Sequence, residues 1–93
     1  MADRARVYAR VHGVVQGVGF RHFTRQLAES FGITGYVRNV PDGTVEMVAE
    51  GGTQALKAFL EEVRIGPRFG SVGRMDIEWS EARGDFSGFT YAF

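Results

Sequence analysis

Arg6-Val-Tyr-Ala-Arg-Val-His-Gly-Val-Val-Gln-Gly-Val-Gly-Phe-Arg-His-Phe-Thr-Arg-Gln-Leu-Ala-Glu-Ser-Phe31 joins a strand pattern to a helix pattern, and the junction between them bears on both fold and function. From Arg6 to Gly13 the residues alternate. Val7, Ala9 and Val11 point one way; Tyr8, Arg10 and His12 point the other. A period of two with one apolar face is a strand with one buried side. Phe20, Phe23, Leu27, Ala28 and Phe31 then follow the spacing of an amphipathic helix, and Gly32 is placed to stop it.

Between the two lies Gly13-Val-Val-Gln-Gly-Val-Gly19. It holds no Ser, Thr, Asp or Asn to cap the helix. The first helical turn carries Arg21 and His22, Arg25 follows, and the first acid is Glu29. The helix dipole favours the opposite charge there, so each such cation costs about 0.3–1 kcal/mol if nothing offsets it. Spare N–H donors, excess positive charge and no internal acceptor are together what an anion site needs. Glycines at 13, 17 and 19 would let the backbone aim its N–H groups at a common centre. The rival reading is a plain connecting turn with Arg21 solvated. The glycines alone do not exclude it, since the segment lacks the Lys-Ser/Thr of a nucleotide P-loop and the dinucleotide spacing. The uncapped, basic helix start favours the anion.

Further along, Tyr36 to Val40 reads as a second strand, Pro41-Asp42-Gly43 as a tight turn, and Thr44 to Glu50 as a third strand. In that strand Val45, Met47 and Ala49 oppose Thr44, Glu46, Val48 and Glu50. Gly51-Gly52 is expected to break the chain and Thr53 to cap a second helix, whose apolar stripe is Leu56, Phe59, Leu60 and Val63. Gly66-Pro67 ends it. Ser71 to Trp79 is a fourth strand, Glu81 to Gly84 a loop, and Phe89, Tyr91 and Phe93 alternate as a short last strand. Trp79 and the phenylalanines fit core positions. The order strand, helix, strand, strand, helix, strand predicts an α/β (α+β) sandwich of the ferredoxin-like βαββαβ kind. Its sheet is antiparallel, its two helices share one face, and a short C-terminal strand is added.

Composition narrows the function classes. The 93 residues suffice for one domain, 1–93, and 44% hydrophobic content can bury a core. Zero formal net charge argues against a broad grip on nucleic acid or an anionic membrane. Lys57 is the only lysine among 11 basic residues, a bias that codon usage explains for most of the arginines. The chain has no cysteine, so thiolate catalysis and Cys-based metal sites are excluded. No apolar run is long enough to cross a bilayer. Met1-Ala-Asp-Arg-Ala-Arg6 runs into the first strand without a signal-peptide pattern, so a cytoplasmic location is expected.

Asn39 is the second candidate for function. It stands at a strand end, on the same face as Val37, and its amide offers both a donor and an acceptor, which suits holding a water. From the residues alone, a turn-forming asparagine bonded to its own backbone is the better reading. His12 and His22 have no ligand partners at metal spacing. Asp42 and Glu46 read as a turn aspartate and an exposed strand glutamate. No serine has a histidine in a suggestive context.

Two runs carry a resemblance. Gly13-Val-Val-Gln-Gly-Val-Gly-Phe-Arg-His22 resembles the first signature of the acylphosphatase family. Gly35-Tyr-Val-Arg-Asn39, followed by Asp42-Gly-Thr-Val45, resembles the second. The likeness extends over almost the whole chain and implies a ferredoxin-like sandwich with core sheet order 4-1-3-2. It implies hydrolysis of acyl phosphates to a carboxylate and inorganic phosphate, with neither metal nor organic cofactor. Arg21 would bind the phosphate, Val15, Gln16, Gly17, Val18 and Gly19 would supply main-chain N–H donors, and Asn39 would position the attacking water. Thr44 matches a threonine near the site with a supporting role. Pro67-Arg-Phe-Gly70 departs from the small-residue stretch usual after the second helix. The expected partners are a small acyl phosphate (acetyl, carbamoyl or a glycolytic one) and inorganic phosphate or other small anions as product or inhibitor. Nucleic acid and membrane are not expected, and the protein is expected to be a monomer. Similar domains also occur within larger hydrogenase-maturation proteins; a chain ending at Phe93 favours a free-standing enzyme. The rivals are an RNA-binding module, which lacks its basic charge and aromatic run here, a metal chaperone, which lacks its cysteines, and an anion-sensing module without turnover.

Overall fold

The computed structural model describes residues 3–93. Alternation yields β1 (Arg4–Val14), and the helical stripe yields α1 (Phe20–Ser30). Then follow β2 (Thr34–Asn39), β3 (Val45–Gly52), α2 (Thr53–Ile65), β4 (Ser71–Ser80) and β5 (Phe89–Tyr91). The sheet order is β4-β1-β3-β2-β5. The first four strands form the expected antiparallel 4-1-3-2 core. The sheet is not antiparallel throughout, because β5 joins the free edge of β2 in parallel, with Tyr91 opposite Val37.

Register turns alternation into a core. Val7 faces Ala49, Ala9 faces Met47 and Val11 faces Val45, and all six are fully buried beneath the helices. From α2, Leu56, Phe59, Leu60 and Val63 close that layer as the stripe requires. The buried face of α1 is rotated from the expected one. Phe20, Thr24 and Ala28 lie innermost, whereas Leu27 and Phe31 are only partly buried at the margin. Gly32 stops α1 as expected. Its N–H donates to Glu29 and the N–H of Ile33 to Ala28, the paired bonds of a Schellman end.

Three local expectations are corrected. Gly51-Gly52 does not break the chain; both glycines belong to β3, paired with Ala5 and Arg4. Thr53 is the first helical residue and not the cap. The cap position is Gly52, without a side-chain bond, and Thr53 donates through its N–H and hydroxyl to the Asp3 carbonyl. Trp79 is 45% exposed and Phe69 77%, because β4 is an edge strand and residues 67–70 form an exposed connection.

The chain must pass from β4 at one edge to β5 at the other. It does so through residues 81–88, which meet the helix-free face at Glu50. That carboxylate is fully buried and accepts from Arg6 Nη1 (2.8 Å) and from the N–H groups of Arg83 and Gly84 (2.9 Å each). Phe86 packs edge-on against Tyr36 and under the Arg6 guanidinium. Burial pushes the Glu50 carboxyl up, but the two N–H groups and Arg6 outweigh it and hold the carboxyl below its ordinary value.

Removing this acceptor leaves two N–H donors and Arg6 without their partner, so Glu50→Ala is expected to lower the unfolding free energy by about 3 kcal/mol. A folded carboxyl below its ordinary 4.5 stabilises fully above that value and loses the effect as pH falls through the folded one. Urea unfolding across pH should therefore show the gap between wild type and Glu50→Ala widest near neutrality and closing in acid. A gap independent of pH would contradict this.

Candidate active site

At the β1 to α1 junction the backbone does what the uncapped helix start requires. Gly19 occupies the cap position with φ +77°, a left-handed conformation open to glycine, and no side chain caps the helix. Its carbonyl accepts the Phe23 N–H. Among the described residues, the N–H groups of Val15 to Gly19 donate to no protein acceptor. Gly13 works differently from the expectation. It sits where the β1–β4 register shifts, and a Cβ there would lie 2.2 Å from the Ser71 carbonyl oxygen. Its small size admits β4.

The loop borders a cleft of about 340 Å3. Val15, Gly17 and Gly19 line it from the loop, and Phe20, Arg21 and His22 from the first turn of α1. Asn39 reaches it from the end of β2, and Tyr91 and Phe93 from the C-terminal segment. Val37 and Asn39 do share a face, as alternation predicts, and Val37 is buried beneath the helices. The Asn39 Oδ1 atom is buried and has no hydrogen-bond partner among the described residues. Arg21 makes no ion pair there either; its Cζ lies 5.8 Å from the centre of the Tyr91 ring.

Gln16 and Val18 are not among the residues that line the cleft; Val18 is packed against the core. The Gln16 side chain has a task that the sequence did not disclose. Its Nε2 donates to the carbonyls of Val40 (2.7 Å) and Thr44 (2.8 Å), so the loop is tied to the β2–β3 turn. That turn is braced in its own right. Asp42 Oδ1 accepts from the Thr44 hydroxyl (2.6 Å) and N–H (3.0 Å), and these bonds hold the Asp42 carboxyl below its usual range. Arg10 Nε donates to Thr44 Oγ1 (2.8 Å). Thr44 therefore supports the turn that Gln16 grips. Glu46 is not the exposed strand glutamate expected. It is engaged by Tyr8, whose hydroxyl donates at 2.6 Å, and by Arg38. Tyr8 foremost, with Arg38, draws its carboxyl down against the cost of burial.

Among the described residues no group of three or more His, Cys, Asp or Glu side chains is disposed to hold a metal ion, and no helix is long and apolar enough to cross a membrane. What the cleft offers is a glycine-rich loop whose N–H groups have no protein acceptor, a guanidinium outside any ion pair and one unpaired amide oxygen. Such a set is suited to an oxyanion of tetrahedral shape and to a water beside it.

Comparison with known proteins identifies the class. A sequence profile of the acylphosphatase family matches residues 7–91. The acylphosphatase of Salinibacter ruber is 51% identical over 84 residues, which cover 90% of this chain and 88% of that one. The crystal structure of acylphosphatase from Bacillus subtilis matches with a TM-score of 0.93 at 35% identity, over 96% of this chain and 99% of that one. An acylphosphatase from Coxiella burnetii matches with a TM-score of 0.90 at 32% identity, over 97% and 94%. The chain belongs to the acylphosphatase family. It is a hydrolase of acyl phosphates on a ferredoxin-like fold, and its substrate is a small molecule.

Gln16→Ala removes two bonds between the loop and the turn, each worth about 1 kcal/mol. The expected result is a stability loss of about 1–2 kcal/mol and a weaker grip on inorganic phosphate. Chemical denaturation and phosphate inhibition constants measure the two effects. Wild-type phosphate inhibition in a destabilised Gln16→Ala protein would show that the tie does not shape the cleft.

Proposed function

We propose that the phosphoryl group of the substrate binds on the N–H groups of residues 15–19 and on Arg21, and that Asn39 holds the attacking water. The observation that carries this reading is that Val15, Gly17, Gly19, Arg21 and Asn39 line one cleft, where the loop N–H groups have no protein acceptor and the buried Asn39 Oδ1 has no partner. A water that donates one hydrogen to Asn39 Oδ1 keeps a lone pair free to attack phosphorus. As the new P–O bond forms, the bond from phosphorus to the acyl oxygen breaks, and the electron pair leaves with a carboxylate. The water's remaining proton passes to a phosphate oxygen or to solvent. The leaving group is a stabilised anion, so a strong general base is not required.

In the transition state negative charge spreads over three equatorial phosphoryl oxygens. Fixed N–H donors and a guanidinium fork meet that charge without reorganising. Alignment of the water behind phosphorus removes part of the entropic barrier. Inorganic phosphate presents the same oxygens and should compete as a product inhibitor. The proposal extends to 1–93 acting as one monomeric domain in the cytoplasm. The single domain is supported by one sheet that takes in every strand from β1 to β5.

Arg21→Ala and Asn39→Ala are expected to fold as wild type, by circular dichroism and thermal melting, while Arg21→Ala loses at least about 10²–10³ in turnover of benzoyl phosphate. Asn39→Ala should lose turnover with inorganic phosphate binding retained. Full activity in either variant contradicts the role given to that residue.

A further inference from the structure

The geometry points to Tyr91 as a positioning residue that holds the Arg21 guanidinium in the cleft through its aromatic ring. The inference rests on the phosphate-binding role proposed for Arg21. That side chain is long and flexible, and it has no carboxylate partner among the described residues. Its guanidinium lies over the Tyr91 ring, 5.8 Å from Cζ to centroid, within the range of cation–π attraction. Arg25, one helical turn on, lies 5.3 Å from the same ring. Two guanidinium groups four residues apart on a helix repel each other. The negative face of an aromatic ring is a surface that attracts both.

The ring itself stands on a fixed base. Tyr91 pairs with Val37 in parallel register, and the next N–H, of Ala92, donates to the Val37 carbonyl at 2.9 Å. At the start of β5 the Gly35 N–H donates to the Gly88 carbonyl at 2.8 Å. The buried Glu50 fastens the chain upstream. The Tyr91 hydroxyl lies 3.5 Å from His22 Nδ1, too far to be its main anchor, so the ring and not the hydroxyl carries the effect.

An arginine ordered before substrate arrives loses less freedom on binding phosphate. The gain applies to substrate and transition state alike, so it acts on KM and on the phosphate inhibition constant more than on kcat. Tyr91→Leu is expected to raise both constants together by about five- to tenfold, with a smaller change in kcat. Tyr91→Phe should bring both back to within about twofold of wild type. In an Arg21→Ala background the leucine change should shift phosphate affinity no further. A purely structural role would lower stability without this pattern. If Tyr91→Leu fails to fold, stepwise fluorination of a phenylalanine at position 91 weakens the ring's negative face at nearly constant shape, and the phosphate constant should climb with each fluorine. Wild-type constants in Tyr91→Leu, or a flat fluorination series, overturn the inference while leaving Arg21's role intact. A wild-type phosphate constant in Arg21→Ala overturns both.

Discussion

Main-chain N–H groups are costly to leave without acceptors, and this chain leaves a run of them, from Val15 to Gly19, at the start of a helix that also carries Arg21 and His22. The arrangement is stable only because the cleft is open to water or to an anion, and it is useful only if the loop cannot collapse onto a protein acceptor. Much of the surrounding structure prevents that collapse. Gly19 sets the backbone in a left-handed turn. The Gln16 amide grips two carbonyls of the β2–β3 turn. Asp42, Thr44 and Arg10 stiffen the turn that is gripped.

The opposite end of the molecule serves the same cleft. Because β4 and β5 lie at opposite edges of the sheet, the chain between them has to cross it, and the buried Glu50 fastens that crossing to the helix-free face. The crossing sets the parallel register of β5. That register in turn brings Tyr91 and Phe93 beside Arg21 and Asn39. A carboxylate buried in β3 thus helps fix where the C-terminal aromatics meet the cleft.

The antiparallel core and the loop were legible in the sequence because each rests on local signals. Alternation marked Val7, Ala9 and Val11, the 3.6-residue period marked α2, and a helix without a cap or an early acid betrayed the donors before Phe20. Asn39 was less legible: its residue type and place suit a turn as well as a water, and its unpartnered Oδ1 is visible only once the strand is built. Long-range features were not legible. The parallel pairing of β5, the burial of Glu50 and the task of the Gln16 side chain depend on segments that meet only when the sheet is assembled. Trp79 and Phe69 misled because hydrophobic residues on an edge strand or in a surface connection need not be covered. Thr53 misled because the strand runs on through two glycines, moving the cap back to Gly52.

Titration of inorganic phosphate into isotopically labelled protein, followed by amide NMR, tests the central claim most directly. The account predicts that the N–H signals of residues 15–19, together with the Arg21 side-chain Nε–H, move downfield along one binding curve as they acquire a charged acceptor. Shifts confined to other segments, or loop amides that stay in place while phosphate binds, would contradict it.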